Sequence, residues 1–569
     1  MSNQESFSTL WKTWEYNAQI YPDKDAIIHW NAGKDPIKIT FSQLLFKANL
    51  YSIALKRIGI KKGEVCAIIM QHNEELYPLY LGIVGIGALP AILAYPNPRL
   101  HPDKFRQGIE GMSQRSGLDW IFTEHSIEQK ILPLIDDKKT TIKGIHFPLS
   151  WELNDDAGEL NNIETIRNDI SSNDPVLLQH SSGTTGLQKP VVLSHRAILD
   201  HVKKYGGSLE LSKEDKIVSW LPLYHDMGLI AAFHLPLAFG ITTVQIDPFE
   251  WVLAPQLLLD VISEEKGTLT WLPNFAYNVF ADKIRDEWLQ NVNLETLRMI
   301  INCSEPVRHY SHEKFYHRYS NFGLKDSVLS TCYAMAETTF AVTQNAPGKP
   351  INEFMADREW LAKGIVKKAE NIDNGRICVS SGSVIDGCII KIVDNERKEI
   401  PIGNVGEIAI KSISMFDGYR NYPEKTEEVL SDGWYYSGDY GFNIGNDYYI
   451  IGRKKDIIIV AGKNIYPEDI EDLVSKVPGV IPGRVIAFGE DDEKTGTELI
   501  SVLAESALEE INQKKHLVEE IKKVGMSLDI SISNIYIVPP KWLIKSSAGK
   551  PSRKANRERI LTEKLEAKK

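Results

Sequence analysis

Apolar and polar positions alternate in blocks that predict helices and strands in turn through about residue 345. VLLQH at 176–180 and KIVSWLPL at 216–223 are short apolar runs that predict strands. Between them, Ser194 suits a helix N-cap, and the Gly206–Gly207 pair suits the end of that helix. This alternation predicts an α/β fold built on a mostly parallel, doubly wound sheet.

The pattern changes after about residue 375. CIIKIVD with VGEIAIK, and FNI with YYIIG, predict two hairpins in a small antiparallel, β-barrel-like subdomain at about 376–452. PEDIEDLVSKV then predicts a helix with Pro467 at its first position and acidic residues in its first turn. We therefore expect a large N-terminal domain at 1–452 and a small α+β C-terminal domain at 453–569.

One uncharged stretch, 76–98, is long enough to be tested as a membrane span. Four prolines and three glycines interrupt it, which favours a buried helix at about 78–87 followed by a strand. The polar N-terminus MSNQESFSTL lacks the basic-then-apolar pattern of a signal peptide. The sequence predicts a cytoplasmic protein without a transmembrane segment.

Length, net charge and cysteine content limit the classes of protein to which this chain can belong. The chain has 569 residues, which predicts two to four domains. Its net charge of −11 does not suggest a nucleic-acid partner. The five cysteines are scattered without a CxxC pair, which argues against a zinc site or a disulfide framework and suits a reducing compartment.

The stretch HSSGTTGLQKP at 180–190 is rich in hydroxyls and glycine. Its backbone N–H groups and the hydroxyls of Thr184 and Thr185 could converge on an anion, with Lys189 as the counter-charge. It is not a Walker loop, because Pro190 follows Lys189. Taken alone, the stretch is either a plain turn or a phosphate cradle.

The other motifs along the chain, taken in order, favour the phosphate cradle, because together they resemble a known family. The chain resembles the adenylate-forming superfamily of acyl-CoA synthetases, luciferases and adenylation domains, and within it fatty acyl-AMP ligases and related long-chain acyl ligases most closely. The resemblance implies that ATP and a carboxylate give acyl-AMP and pyrophosphate, after which a thiol takes the acyl group and AMP leaves. The motifs are SSGTTGLQK (181–189), LPLYHDMG (221–228), NCSEPVR (302–308), CYAMAETTF (332–340), YYSGDYG (435–441), GRKKDIIIVAGKNIYPEDIE (452–471) and KSSAGK (545–550).

The resemblance also implies roles for individual residues. Glu337 and Thr184 are expected to hold Mg²⁺, although Glu337 outside this motif would suit a solvated surface. Asp439 is expected to accept the ribose hydroxyls, with help from Arg453 at the domain junction. The phosphate loop is expected to use Ser182, Gly183, Thr184, Thr185, Gly186 and Lys189, and the base pocket Asn302, Ser304, Glu305, Cys332, Tyr333 and Ala334.

Lys550 is the expected catalytic cation of the first step, brought to the substrates by a mobile C-terminal domain that turns at Lys455. His225 resembles a gate at the mouth of the acyl pocket, although it also suits a buried core histidine. The chain departs from its relatives where Pro190 and Pro551 follow the two lysines.

The predicted substrate is a medium- or long-chain fatty acid. The predicted acceptor is the phosphopantetheine thiol of a separate acyl carrier protein, with coenzyme A close behind, because 345–375 resembles the extra segment of fatty acyl-AMP ligases. Two alternatives stay open. Asp226 could instead grip an amino-acid substrate in a free-standing adenylating enzyme, and the proline departures would suit a non-catalytic nucleotide-binding regulator.

Overall fold

The computed structural model describes residues 7–96, 102–134, 139–181, 188–460, 463–492, 497–528, 530–545 and 551–566. The α-helices in these residues are α1 Leu10–Ile20, α2 Phe41–Arg57, α3 Leu76–Gly85, α4 Pro102–Ser116, α5 Glu128–Ile131, α6 Ala157–Asn168, α7 His195–Ser208, α8 Leu235–Phe239, α9 Pro248–Leu253, α10 Leu257–Glu265, α11 Asn274–Lys283, α12 His309–Tyr319, α13 Arg358–Ala362, α14 Pro423–Val429, α15 Pro467–Val474, α16 Ile511–Ser527 and α17 Arg553–Glu566.

The strands in the same residues are β1 Asp25–Trp30, β2 Ile37–Thr40, β3 Val65–Ile69, β4 Leu89–Ile92, β5 Trp120–Thr123, β6 Gly144–His146, β7 Pro175–Ser181, β8 Lys189–Ser194, β9 Lys216–Ser219, β10 Thr242–Ile246, β11 Leu269–Leu272, β12 Met299–Asn302, β13 Leu329–Ala334, β14 Ala341–Gln344, β15 Glu353–Asp357, β16 Gly375–Val379, β17 Ser383–Val384, β18 Cys388–Val393, β19 Gly406–Ser412, β20 Leu430–Ser431, β21 Trp434–Ile444, β22 Asp447–Arg453, β23 Ile458–Val460, β24 Lys463–Ile465, β25 Val485–Asp492, β26 Thr497–Glu505 and β27 Ile532–Val538.

The predicted parallel α/β organisation is confirmed. The strands β13, β12, β11, β9, β10 and β1 lie side by side and parallel within a nine-stranded sheet of the described chain. A second sheet, in the order β4-β3-β5-β6, is also parallel. Because helices cover these sheets, their strands are buried and read as apolar runs rather than as alternating positions.

Two local predictions differ from the structure in detail. The predicted strand at 176–180 pairs antiparallel with β8, so β7 and β8 form a hairpin that brackets the phosphate-loop sequence. The helix after Ser194 has that residue as its N-cap, with the hydroxyl accepting from the N–H of Ala197, and it ends at Ser208. A short apolar run does not reveal whether its partner strand is parallel or antiparallel, since the side chains alternate in the same way in both.

The uncharged stretch at 76–98 is not one continuous helix. Its described part forms α3, in which every residue is buried, and then the strand β4. Among the described helices, none is both long enough and apolar enough to cross a bilayer.

The later part of the chain forms smaller units, as predicted. Strands β18, β19, β20, β21 and β22 make an antiparallel sheet, which corresponds to the predicted β-rich subdomain. The C-terminal unit has β25, β26 and β27 in one sheet, with α15 and α16 over a core of their own. The division at residues 452 and 453 remains a prediction, and it falls at the last residues of β22.

Candidate functional site

A cavity of about 450 Å³ opens where several sheets meet. It lies at the carboxyl ends of β12 and β13, a usual place for ligands in parallel α/β sheets. The β21–β22 hairpin and the C-terminal unit close its other sides. Seven predicted site residues line it, although they are far apart in the sequence: Ser304, Glu305, Cys332, Tyr333, Ala334, Asp439 and Arg453.

Asp439 lies at the centre of a polar cluster in this cavity. The register of the β21–β22 hairpin places it opposite Arg453, and Arg453 Nε lies 3.3 Å from Asp439 Oδ1. The hydroxyl of Tyr333 donates to Asp439 Oδ2 at 2.7 Å. Burial, reinforced by the Asp439 carboxylate, raises the pKa of Tyr333, so this phenol stays protonated and acts as a donor. The carboxylate is therefore held in place and can accept further hydroxyl donors.

The wall formed by residues 302–305 is supported from behind. Asn302 is fully buried, and its Nδ2 donates to Asn274 Oδ1 at 3.1 Å and lies 2.8 Å from His312 Nε2. Burial lowers the pKa of His312 to about 3, so the ring is neutral and can accept. Asn302 thus braces the segment, while Ser304, with φ +67°, turns the chain into the cavity. Sequence reasoning missed Asn274, which is the first residue of α11 and lies two positions after the end of β11.

The two predicted base-pocket strands are in close contact. Cys332 Sγ lies 3.1 Å from Cys303 Sγ, and both are free, buried thiols. Cys332 lies within β13, and Cys303 directly follows β12. Burial raises the pKa of Cys332, so it is a neutral thiol and behaves as a small apolar group in the wall.

A second polar cluster joins Lys189, Glu337 and Tyr419. The Tyr419 hydroxyl donates to Glu337 Oε1 at 2.7 Å, and Lys189 Nζ donates to the Tyr419 oxygen at 3.3 Å. Glu337 is only 6% exposed. Burial lowers the pKa of Lys189, and the nearby Glu337 opposes that shift. Sequence reasoning missed Tyr419; the signal was the aromatic, turn-forming GYRNYP sequence at 418–423.

The backbone explains why Tyr419 lies here. Strand β8, which begins at Lys189, pairs with the segment at 417–420 through Val192 N to Gly418 O and Arg420 N to Pro190 O. Pro190, the departure noted in the sequence, therefore supplies a carbonyl acceptor at an ordered edge. Lys189 is described and placed beside Glu337, whereas Ser182, Gly183, Thr184, Thr185 and Gly186 lie outside the described residues.

A family model described as AMP-binding enzyme matches residues 14–420, more than half of the chain. The chain belongs to the AMP-binding enzyme family. This confirms the predicted membership of the adenylate-forming superfamily. It supports an AMP-forming acid ligase that uses ATP.

This AMP-binding enzyme aligns with similar proteins over most of its length. It is 26% identical over 552 residues to the long-chain-fatty-acid–AMP ligase FadD26 of Mycobacterium marinum, covering 92% of this chain and 91% of that protein. It is 27% identical over 572 residues to 4-hydroxyphenylalkanoate adenylyltransferase of the same species, covering 95% and 89%.

Solved structures agree with this family. A fatty acyl-adenylate ligase from Legionella pneumophila, in complex with acyl adenylate and pyrophosphate, matches with a TM-score of 0.74 and 28% identity over 97% of this chain and 96% of that one. A chain from a study of fatty acyl-adenylate ligases of E. coli and L. pneumophila matches with a TM-score of 0.86 and 21% identity over 99% of both chains, which shows the fold.

His225 of this AMP-binding enzyme lies two residues before an unusual helix. Its Nδ1 lies 2.7 Å from Asp226 Oδ1, and Asp226 also caps the helix by accepting from Met227 N at 2.8 Å. Residues Met227–His234 form a π-helix whose eight residues are all buried in the large core. Such helices are rare and are often found at functional sites. The sequence pattern did not reveal it, because the segment is apolar on every side.

The predicted hinge lies where the two units join. Lys455 is the middle residue of a short 3₁₀ turn, Lys454–Asp456, directly after β22. Partial burial, together with the charge of Arg453, lowers the pKa of Lys455 to about 8. Lys550 lies outside the described residues, but Pro551 and Ser552, which follow it in the sequence, line the cavity.

Proposed function

We propose that this AMP-forming ligase activates a fatty-acid-like carboxylate with ATP and then transfers the acyl group to a thiol. One observation carries the proposal: the cavity is lined both by the Asp439–Tyr333–Arg453 cluster and by Pro551 and Ser552, the neighbours of Lys550. The proposed nucleotide pocket and the proposed catalytic tail therefore meet at one place.

The residues around Glu337 fit a magnesium ion. Mg²⁺ prefers carboxylate and phosphate oxygens and keeps several waters, so one buried carboxylate near Lys189, the last residue of the proposed phosphate loop, is a suitable protein contribution. Tyr419 holds Oε1 of this carboxylate, which orients the group. We propose Glu337, with Thr184, as the ligands. Bound there, the ion would neutralise charge on the phosphate oxygens.

In the first step, a carboxylate oxygen bonds to the α-phosphorus of ATP, and pyrophosphate leaves. We propose that Lys189 pairs with the phosphates next to Glu337 and that Asp439 accepts both ribose hydroxyls. The charge of Lys550 would stabilise the transition state between the carboxylate and the α-phosphate, an effect worth about 3 kcal/mol. Arg453, which pairs with Asp439 across β21 and β22, would keep that carboxylate in place.

Two observations support an apolar acid. The L. pneumophila match was solved with acyl adenylate, and FadD26 is a long-chain-fatty-acid–AMP ligase. In addition, Asp226 is engaged by His225 and by the N-terminus of the π-helix, a local role that counts against use as an ammonium ligand. We propose His225 as the gate and a medium- or long-chain fatty acid as the substrate.

In the second step, a thiolate bonds to the acyl carbon and AMP leaves. We propose a carrier-protein phosphopantetheine as the acceptor, with coenzyme A as the competing candidate, after rotation of 453–569 about Lys455. Residues 345–375, which resemble the extra segment of fatty acyl-AMP ligases, support the preference for a carrier protein over coenzyme A. Helix α13 of this segment contacts β24 of the C-terminal unit, and its Leu361 shares a core cluster with Tyr466, so the segment restrains that unit.

The test is a mass measurement of acyl-AMP, acyl-CoA and acyl-carrier products from a mixed panel of fatty and amino acids. We expect acyl-AMP from fatty acids only, and Lys550→Ala should abolish its formation while sparing thiol transfer from supplied acyl-AMP. Products from amino acids alone would replace the fatty-acid proposal with the amino-acid enzyme. Nucleotide binding without any acid-dependent product would indicate a regulator.

A further inference from the structure

Arg553 is the first residue of α17 and lies three positions after Lys550. Its guanidinium contacts three carboxylates. Nε and Nη2 bind Glu471 as a fork at 2.9 and 2.7 Å, Nη1 binds Asp456 at 2.7 Å, and Nη2 lies 2.9 Å from Glu468. The Arg553 side chain is 19% exposed, so these contacts are partly shielded from water. The donors are directed at protein carboxylates, which leaves little capacity for a substrate.

The three carboxylates belong to two parts of the C-terminal unit. Asp456 ends the 3₁₀ turn that contains the proposed hinge residue Lys455. Glu468 and Glu471 lie on α15. Arg553 therefore joins the hinge turn, α15 and the tail in one cluster. Without its positive charge, three acidic side chains with exposures of 7–20% would face one another unpaired.

Helix α15 is in turn held by the large unit. Arg376 of β16 lies 3.1 Å from Asp469 Oδ2, and Arg308 Nη2 donates to the Glu468 carbonyl at 3.0 Å. These two arginines come from the N-terminal 452 residues. A continuous series of contacts thus runs from the large unit through α15 to Arg553 and the tail.

We propose that Arg553 is a positioning residue for adenylation: it fixes the tail segment so that Lys550 reaches the cavity when α15 is docked on the large unit. This inference rests on the proposed function. Arg553 itself lines the cavity, but its own donors are bound to carboxylates, so it acts through Lys550. In the thiol-transfer arrangement Lys550 is not needed, so Arg553 should matter much less there.

The experiment compares Arg553→Gln with the unaltered full chain in both half-reactions. Acid-dependent ATP–pyrophosphate exchange reports adenylation. Acylation from supplied acyl-AMP reports transfer, measured with the thiol that the unaltered chain uses, either carrier-protein phosphopantetheine or coenzyme A. Displacing a catalytic group by about 1 Å can cost roughly 100-fold. We expect kcat for exchange to fall about 100-fold with KM for ATP and acid within about threefold, and transfer to stay within about threefold.

Arg559→Gln is the matched control, because Arg559 lies on the same helix but stacks on Trp542 and pairs with Glu563. It should leave both half-reactions within about twofold. Arg553→Lys, which keeps the charge but not the fork, should recover part of the exchange rate. Wild-type exchange by Arg553→Gln would overturn the inference, and so would equal losses in both half-reactions with a matching fall in Tm.

A second variant tests the inference even if Arg553→Gln does not fold. Asp456→Asn removes one contact to the hinge turn and leaves the Glu471 fork intact. We expect a three- to tenfold loss of exchange kcat, an unchanged Tm and unchanged transfer; an unchanged kcat would count against the inference. Exchange by the unaltered chain distinguishes failure of the proposed function from failure of this inference. If no acid supports exchange, the proposed function is refuted. If the unaltered chain shows exchange and Arg553→Gln shows it equally, only this inference is refuted.

Discussion

Replacing Tyr419 with phenylalanine removes one oxygen from the cluster around Glu337. That oxygen donates to Glu337 Oε1 at 2.7 Å and accepts from Lys189 at 3.3 Å, whereas the ring, 5.0 Å from Lys189 Nζ, is kept. Tyr419 and Glu337 are 4% and 6% exposed, so water cannot easily replace the lost donor. The perturbation therefore acts on the orientation of the proposed magnesium ligand, with little change in packing.

The size of the effect follows from the kind of bond that is lost. A hydrogen bond to a charged group contributes about 1.5–3 kcal/mol. Without this bond, orienting Glu337 for the reaction costs the same free energy, so kcat/KM for MgATP falls roughly 10- to 150-fold. Exchange kinetics at varied MgATP measure this ratio, and thermal unfolding shows whether the fold is intact.

Tyr536→Phe is the control, because it removes an equivalent bond elsewhere. The Tyr536 hydroxyl donates to Glu490 Oε1 at 2.9 Å in the sheet of the C-terminal unit. We expect kcat/KM to change by less than about twofold. A Tyr419→Phe enzyme that is folded and within about threefold of wild type would show that the tyrosine does not orient Glu337, or that adenylation does not depend on it.

Three further predictions concern the site and the fold. Asp439→Asn should weaken ATP binding by about tenfold or more in calorimetry, because hydrogen bonds to a neutral amide are weaker than those to a carboxylate. Gly382→Ala, whose Cβ would lie 2.1 Å from the backbone of β14 at φ +88°, should lower Tm far more than Gly364→Ala, which is at φ +76° with open space. Burial would raise the pKa of Asp215, but hydrogen bonds from Arg298 and a backbone N–H outweigh burial and hold it below its usual 3.8. Its contribution to stability is present above that pH and is lost as the pH falls through the lowered pKa, so the Tm difference between wild type and Asp215→Asn should shrink below about pH 4.

Elements with a strong local signal were predictable. The Ser194 N-cap, the helix beginning at Pro467 and the hairpins after residue 375 depend on capping, proline geometry and short turns. The π-helix at Met227–His234 was not predictable, because an almost entirely apolar segment carries no periodicity that separates a π-helix from an α-helix.

The candidate site was also predictable only in part. The sequence by itself determined the chemistry available and its order along the chain, since resemblance to a family depends on short motifs such as YSGDYG and YAMAETT. Only the tertiary structure decided which other side chains complete the clusters. Tyr419 reaches Glu337 because β8 pairs with the segment at 417–420, and Arg553 reaches Asp456 and Glu471 because α17 begins beside α15. Such contacts join residues 80 or more positions apart, and no local pattern encodes that distance, because it is set by how strands and helices pack together.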